Sequence, residues 1–451
     1  MRLDPSAWRA ILRIAAIWRP GALLLVAILM VCVGHSRMAL ALPSYARQTG
    51  QQCAACHNGF PELTPYGRLF KLNGYTFGGS TSDYPPIAVM TYGSFNHTHA
   101  DQPGTNPHFG PNDNFAIDQT SVFYGGQIAP HLGAFAQLTY DGIGRGFALD
   151  NTDIRYARTA SLFDAETVWG LSFNNNPTVQ DVWNTTPAWS FPFVASGLAE
   201  SPAAATMIEG GFGQQVAGLT TYALWNRLIY LEAGGYHSLS PRIQSALGAN
   251  AADNNVLEGI APYWRLALQH DWEQNSIEAG VFGMTANVTP HRTYGFGTDR
   301  LTDIGLDAQY QFLADHNSFS VQASAIFENQ NLDASSAAGF ASNGHNTLRS
   351  FHAKATYYYD QTYGATLGVF RLDGTPDATL YANDSGNNSP NSTGLIAELD
   401  YIPFNYGGPA FWRWANLKLG VQYTYYPEFN GMTGHAATDN NTLFVFAWVA
   451  F

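Results

Sequence analysis

From about residue 87 onward the chain is built of segments of roughly ten to fourteen residues in which apolar and polar side chains alternate, the dyad pattern of transmembrane β-strands. In 414–426, Ala415, Leu417, Leu419, Val421, Tyr423 and Tyr425 share one face, while Asn416, Lys418, Gln422 and Thr424 share the other. In 303–312, Ile304, Leu306, Ala308, Tyr310 and Phe312 oppose Asp303, Asp307, Gln309 and Gln311. In 395–401, Leu395, Ala397, Leu399 and Tyr401 oppose Glu398 and Asp400. One face suits lipid and the other a wet lumen, because successive strand side chains point to opposite sides. Such segments begin near Ile87, Phe115, His131, Thr152, Glu166, Gly213, Arg227, Glu258, Asn275, Leu301, Asn317, Thr347, Tyr363, Thr393, Trp414 and Asn441. That is about sixteen strands, an even number as single-chain bacterial barrels require.

The connections test this count independently, since outer-membrane barrels alternate short periplasmic turns with long external loops. Long polar stretches at 174–206, 240–257, 329–346 and 373–392 follow odd strands, and turns at 129–130, 226–227, 273–275 and 360–362 follow even ones. The exception is 405–413, a longer turn on the periplasmic side. The last strand carries Leu443, Val445, Ala447, Val449 and Phe451 on one face and ends in phenylalanine, an ending on which barrel assembly commonly depends. The expected fold is therefore all-β, an antiparallel porin-like transmembrane barrel over 83–451; a soluble sixteen-stranded sandwich or propeller is the alternative.

Composition sharpens the picture. The 451 residues include 44 glycines, with 14% aromatic and only 12% charged residues, too glycine-rich and charge-poor for a helical electron carrier. A net charge of -13 argues against a nucleic-acid partner. At the start, Arg2, Arg9, Arg13 and Arg19 precede an apolar run over 21–33, and Ala39-Leu40-Ala41 offers a small-x-small cleavage site. Residues 1–41 read as a secretory signal peptide cut before Leu42; a retained anchor is the alternative, against which His35 and Arg37 interrupt the apolar stretch. Cys32 invites lipidation, but Val31 before it is not the small residue such processing prefers.

Candidate chemistry is concentrated at Cys53-Ala54-Ala55-Cys56-His57. Two thiols separated by two residues can each form a thioether with a haem vinyl group, and the adjacent imidazole can then ligate the iron. Cys53 and Cys56 are the only cysteines after the leader, so they leave no partner for another disulfide. A zinc site would need about two further Cys or His ligands nearby, and a thioredoxin-like pair a βαβ context; neither follows. The pentad predicts one covalently attached haem c, with Cys53 and Cys56 as thioether anchors and His57 as axial ligand; a coincidental or disulfide-bonded pentad is the alternative. The haem segment, 42–82, is too short to bury a porphyrin alone, so it is expected as a plug or mouth domain that borrows its pocket from the barrel.

Arg47, Arg68 and Lys71 are candidates to pair with haem propionates, with solvated basic residues as the alternative. Phe60, Phe70 and Tyr75 are expected to pack on the porphyrin or seat the plug. For the sixth ligand, the mature methionines are Met90, Met207, Met284 and Met432, and His97, His99, His108 and His131 follow the haem segment most closely. His131 is the candidate by alternation, on a presumed lumen face with Phe135 and Gln137; an open position is also admitted. Glu232, Asp271, Glu278, Asp303, Asp307, Glu398 and Asp400 are lumen-side carboxylates able to attract cations, or the ordinary polar lining of a porin. No Ser/His/Asp arrangement or phosphate-cradling loop is present.

The stretches Ala46-Arg47-Gln48-Thr49-Gly50, Cys53 to His57, Phe60-Pro61, Leu63-Thr64, Gly67-Arg68, Phe70-Lys71 and Gly74-Tyr75 closely resemble the N-terminal region of the fused monohaem cytochrome-porins. These outer-membrane proteins are best known as ferrous-iron oxidases. The close match covers roughly forty residues; beyond it the resemblance is one of architecture. It implies outer-membrane electron transfer from extracellular ferrous iron, through the haem, to a periplasmic c-type cytochrome or other periplasmic carrier. An electron conduit with another donor or acceptor and a diffusion porin with a haem-bearing plug are the alternatives. Porin-like barrels are often trimers, which leaves a homo-trimer open.

Overall fold

The computed structural model describes residues 43–78, 85–102, 106–382, 386–409 and 414–451. The expected signal peptide, the end of the expected haem segment at 79–82 and residues 410–413 of the long turn lie outside them.

Sixteen long strands run in chain order: β1 (Ile87–Thr98), β2 (Asn114–Ala129), β3 (Leu132–Asp141), β4 (Gly146–Leu162), β5 (Ala165–Asn174), β6 (Val216–Trp225), β7 (Ile229–Ser238) and β8 (Ala261–Trp272). The second half comprises β9 (Asn275–Thr289), β10 (Asp299–Leu313), β11 (Asn317–Asn331), β12 (His345–Tyr359), β13 (Tyr363–Gly374), β14 (Ser392–Tyr401), β15 (Asn416–Phe429) and β16 (Thr442–Ala450). Two two-residue pieces, Val256–Leu257 and Met432–Thr433, add short pairings at the long-loop end. Each long strand pairs antiparallel with the next, and β16 closes on β1 from Met90 opposite Ala450 to Thr98 opposite Thr442. Closure leaves no open sheet edge, the condition for a sheet to stand in hydrocarbon.

The alternation fixes the faces. On β10, Asp303, Asp307, Gln309 and Gln311 are buried inside, whereas Ile304 and Leu306 are exposed outside. On β14, Glu398 and Asp400 point inward and Leu395 and Leu399 outward, Leu399 at 65% exposure. Exposed Leu219, Leu268, Leu367 and Tyr423 continue an apolar belt around the wall, the lipid-facing surface of an outer-membrane barrel.

β4 begins at Gly146, six residues before the sequence-based start at Thr152. The reason is a register shift between Ala136 and Leu138 that lets 146–149 pair with β3 while interrupting the simple period of two.

Inside, charge is paired with charge. Arg265 on β8 meets Asp181 of the β5–β6 connection at 3.1 Å, Glu278 at 3.2 Å and Asp307 at 2.5 Å. Lys418 meets Glu398 at 3.0 Å and Asp400 at 3.1 Å. Of the carboxylates read as possible attractors of cations, Glu278, Asp307, Glu398 and Asp400 thus each meet a cation of the chain itself, as Asp271 does at Arg68.

The β5–β6 connection, 175–215, departs from expectation: although read as an external loop, it folds into the lumen. Val179, Val182, Trp183, Ile208 and Phe212 on it are almost fully buried, because they hide from water only against the inner wall. Trp183 Nε1 donates to Gln269 Oε1 at 3.0 Å, and its carbonyl accepts from Gln309 and Gln322 at 3.0 Å each.

Candidate haem site in the barrel lumen

The N-terminal segment forms three short helices, α1 (Pro43–Thr49), α2 (Cys53–Cys56) and α3 (Pro65–Leu72). Thr64 caps α3: its hydroxyl accepts from the Gly67 N–H at 3.2 Å, and Pro65 follows at the first helical position. The same hydroxyl donates to the Ala55 carbonyl at 2.6 Å, tying α3 to the pentad. Gly67 is required by this contact, since a Cβ there would lie 2.3 Å from the Cys56 carbonyl oxygen.

This segment is a plug at the short-turn mouth of the barrel, the one expected from the loop lengths to face the periplasm. Gln361, in the β12–β13 turn, accepts from the Gly59 N–H at 2.8 Å, and Ser318 at the start of β11 donates to Asn58 at 2.6 Å. The Ala54 N–H donates to the Asn405 carbonyl at 3.2 Å, so the one long periplasmic turn, anomalous in sequence, supports the pentad. Glu62 accepts from Lys354 and Gln311 at 2.7 Å each and from Ser320 at 3.0 Å. Burial pushes its carboxyl up, and the Lys354 ammonium with these donors overcomes that, so the net direction is down.

Cys53 and Cys56 stand one helical turn apart on α2 and are not joined in a disulfide; Cys56 is among the residues lining the cavity described next, and the almost fully buried Cys53 is not. Cys56 and His57 open onto a cavity of about 450 Å³ between the plug, the β1–β4 and β16 wall and the in-folded loop. Rings dominate its lining: Phe60 and Phe70 from the plug, Phe123, Phe135 and Trp448 from the wall, Trp189 and Phe193 from the loop. His57 Nδ1 lies 3.0 Å from the Pro61 carbonyl oxygen. A carbonyl only accepts, so the proton sits on Nδ1 and Nε2 carries the lone pair, the usual arrangement of a ligating histidine. Burial pushes the imidazole down to about 4 against two backbone acceptors, which keeps it neutral. Burial also pushes the Cys56 thiol up to about 12. A neutral imidazole and a buried thiol on one aromatic-walled cavity are a donor set that fits a covalently attached haem.

The other sequence-based candidates distribute unequally. Lys71 lines the cavity, its Nζ donating to the Val179 carbonyl at 2.8 Å and the Asp181 carbonyl at 2.5 Å and standing 4.7 Å over the Trp189 ring. Burial, aided by Arg155, pushes its ammonium down to about 7 despite Asp153, Asp181 and Glu232. Arg68 instead turns to the wall, donating to Gln309 at 2.6 Å, Gln311 at 2.9 Å and Asp271 at 3.3 Å. Arg47 donates to the Ile87 carbonyl at the start of β1. Neither arginine is among the cavity-lining residues; each holds plug to barrel, because the inward wall there is rich in acceptors. His131 sits in the β2–β3 turn, exposed, at a left-handed φ of 68°, its ring 6.3 Å from Tyr156. It does not reach the cavity, since the turn ends the alternation on which its inward placement rested. Phe60, Phe70 and Tyr75 all line it, and Tyr75 also donates to Asp153 at 2.6 Å.

Sequence reasoning missed the loop residues Trp189 and Phe193 and gave Asp150 no role. Asp150 borders the cavity and also a more polar opening of about 400 Å³ with Asp141 and Thr139 on the long-loop side. Its carboxylate accepts from Thr139 at 3.1 Å and Gln214 at 3.0 Å.

No protein-family model and no curated protein matches the chain. Among solved structures it is similar to OmpF of Salmonella typhi, in complex with daunomycin, at 12% identity over 81% of this chain and 97% of that one, TM-score 0.44. OprB of Pseudomonas putida matches at 12% identity over 81% and 93%, TM-score 0.43. OmpT of Vibrio cholerae, an outer membrane protein, matches at 8% identity over 81% and 96%, TM-score 0.41. At such scores nothing is carried across from these proteins, and the barrel stands on its own strand pairing.

Proposed function

We propose that the chain carries one haem c, bound through Cys53 and Cys56 and ligated by His57, and serves outer-membrane electron transfer. Ferrous iron is the favoured donor, and a periplasmic c-type cytochrome or other periplasmic carrier the acceptor. The observation that carries this reading is that Cys56 and His57 open together onto an aromatic-lined cavity inside a membrane barrel. A haem held there supplies one-electron chemistry: ferrous iron leaves as ferric iron, and its electron goes to the carrier. The chain's residues then have separate tasks. His57 offers a neutral Nε2 with its ring fixed through Pro61; Trp189 and Phe193 exclude water from the long-loop side. Asp150 and Asp141, at the polar opening, supply the hard oxygen donors that a hydrated divalent ion prefers.

The experiment is to mix the purified, detergent-solubilised protein with ferrous iron at the organism's working pH. Rapid appearance of the reduced-haem spectrum, lost in His57→Ala, is the expected result. If iron leaves the haem oxidised while another donor reduces it, a conduit with a different donor, such as a mineral, a sulfur compound or a partner cytochrome, is the better reading. Absence of reduction combined with solute flux in liposomes returns the chain to a diffusion porin.

A further inference from the structure

The cavity that receives His57 is bounded on its barrel side by β1, where Met90 turns inward and is 7% exposed. Its surroundings leave room for a long side chain: Ala88 precedes it on the same face, and Ala450 stands opposite on β16. Met90 shares an apolar cluster with Phe123, Phe446 and Trp448, all but Phe446 also lining the cavity, and its flexible side chain ends in a soft, polarisable sulfur.

The other side chains lining this space that bear a potential iron ligand are mostly committed. The Lys71 ammonium is held by two loop carbonyls. Tyr45 donates to the Ala134 carbonyl at 3.0 Å, and Tyr75 to Asp153. Asp150 accepts from Thr139 and Gln214. Cys56 belongs to the thioether pair. Tyr92 remains, as a neutral phenol that is a weak donor beside a thioether. The other mature methionines lie elsewhere: Met207 and Met284 are packed in a separate apolar cluster, and Met432 lies by Gly386 at the long-loop end. His57 is the sole histidine lining the cavity among the described residues.

Resting on the haem reading above, we propose that the Met90 thioether would hold the haem iron as a second protein ligand besides His57. A thioether is a soft ligand that suits iron in electron transfer, and a Met/His pair raises the reduction potential relative to harder donors. The strand wall then fixes one ligand and the plug the other, so ligation itself clamps plug to barrel.

The test uses the full-length holoprotein purified from outer membranes, with covalent haem verified by haem staining of the denatured band. Ferric wild type is expected to show the weak far-red sulfur-to-iron charge-transfer band. Met90→Leu should lose that band, show a lower potential and gain binding of carbon monoxide when reduced. Met90→His should stay six-coordinate without the band and at lower potential, which keeps the test valid if the leucine variant folds poorly. Tyr92→Phe should match wild type. A band and potential unchanged in Met90→Leu, or a haem-bearing wild type without the band, overturns the Met90 assignment alone. A folded wild-type barrel with no covalent haem overturns the functional reading with it.

Discussion

The sharpest structural test is to break the Glu62–Lys354 pair that joins plug to wall. Both side chains are almost fully buried, 2.7 Å apart, and Glu62 is completed by Gln311 and Ser320. Replacing Glu62 by Gln keeps the shape but strands the Lys354 ammonium, and removing one member of a buried pair costs about 3–5 kcal/mol. At about 1.4 kcal/mol per decade, the population of barrels with the plug displaced should rise about 10²-fold to a few thousand-fold. Native-state proteolysis of the plug reads that population directly when opening and closing are fast relative to cleavage. Glu62→Gln/Lys354→Met, with no charge left behind, should recover most of the loss, giving a large coupling in the double-mutant cycle. The exposed pair Arg371–Asp373 is the control, since such pairs contribute about 1 kcal/mol or less. Because the Glu62 carboxyl is held below the usual range, its contribution is present in full above the ordinary glutamate value of about 4.3 and fades as pH falls through the lower folded one. If Glu62→Gln changes cleavage no more than Arg371→Ala, the plug is not held by this network and the argument fails.

Two further outcomes follow from the same geometry. With the plug across one mouth and 175–215 folded into the lumen, planar-bilayer conductance should stay low in wild type and after either deletion alone, and open only when 43–78 and 176–212 are both replaced by short linkers; an open wild-type pore refutes this double closure. Leu367→Arg, on the lipid face near the middle of β13 at 68% exposure, should destabilise the barrel by about 2–4 kcal/mol, read as a lower denaturant midpoint in liposomes, and an unchanged midpoint would move that face away from lipid.

The strands were legible because lipid and lumen impose opposite demands on alternate residues, so the sequences around Leu399 and Tyr423 carry the wall's two faces in their period of two. The pentad could be singled out because its spacing is local. What escaped was non-local and aperiodic. Nothing in the spacing of Trp183, Trp189 and Phe193 says that their loop turns inward; the signal was apolar content in excess of what an external loop exposes. Arg68 was read beside the haem because it neighbours the pentad in sequence, yet its acceptors, Gln309 and Gln311, lie more than two hundred residues away. Met90 sat on a strand whose face was readable, but the cavity it lines exists only once β16, the plug and the loop meet.

That convergence explains how so short a segment can be held in one conformation. By itself it contributes a small buried cluster of Ala46, Cys53 and Cys56, far too little to sustain a core of its own. Its larger side chains are completed by the barrel: Leu72 packs with Val168, Tyr222 and Trp183, and its carbonyl accepts from the Tyr222 hydroxyl at 2.6 Å. Tyr45 and Tyr75 are tied to β3 and β4 through Ala134 and Asp153, and Arg68 and Glu62 to β8–β12. A free-standing domain spends most of its chain keeping water from its interior, whereas here the barrel wall already supplies that shield. The plug needs only to position the pentad, and its polar contacts with the wall are what make that position unique. Cut from the barrel, residues 43–78 should therefore neither fold nor hold His57 in a fixed tautomer.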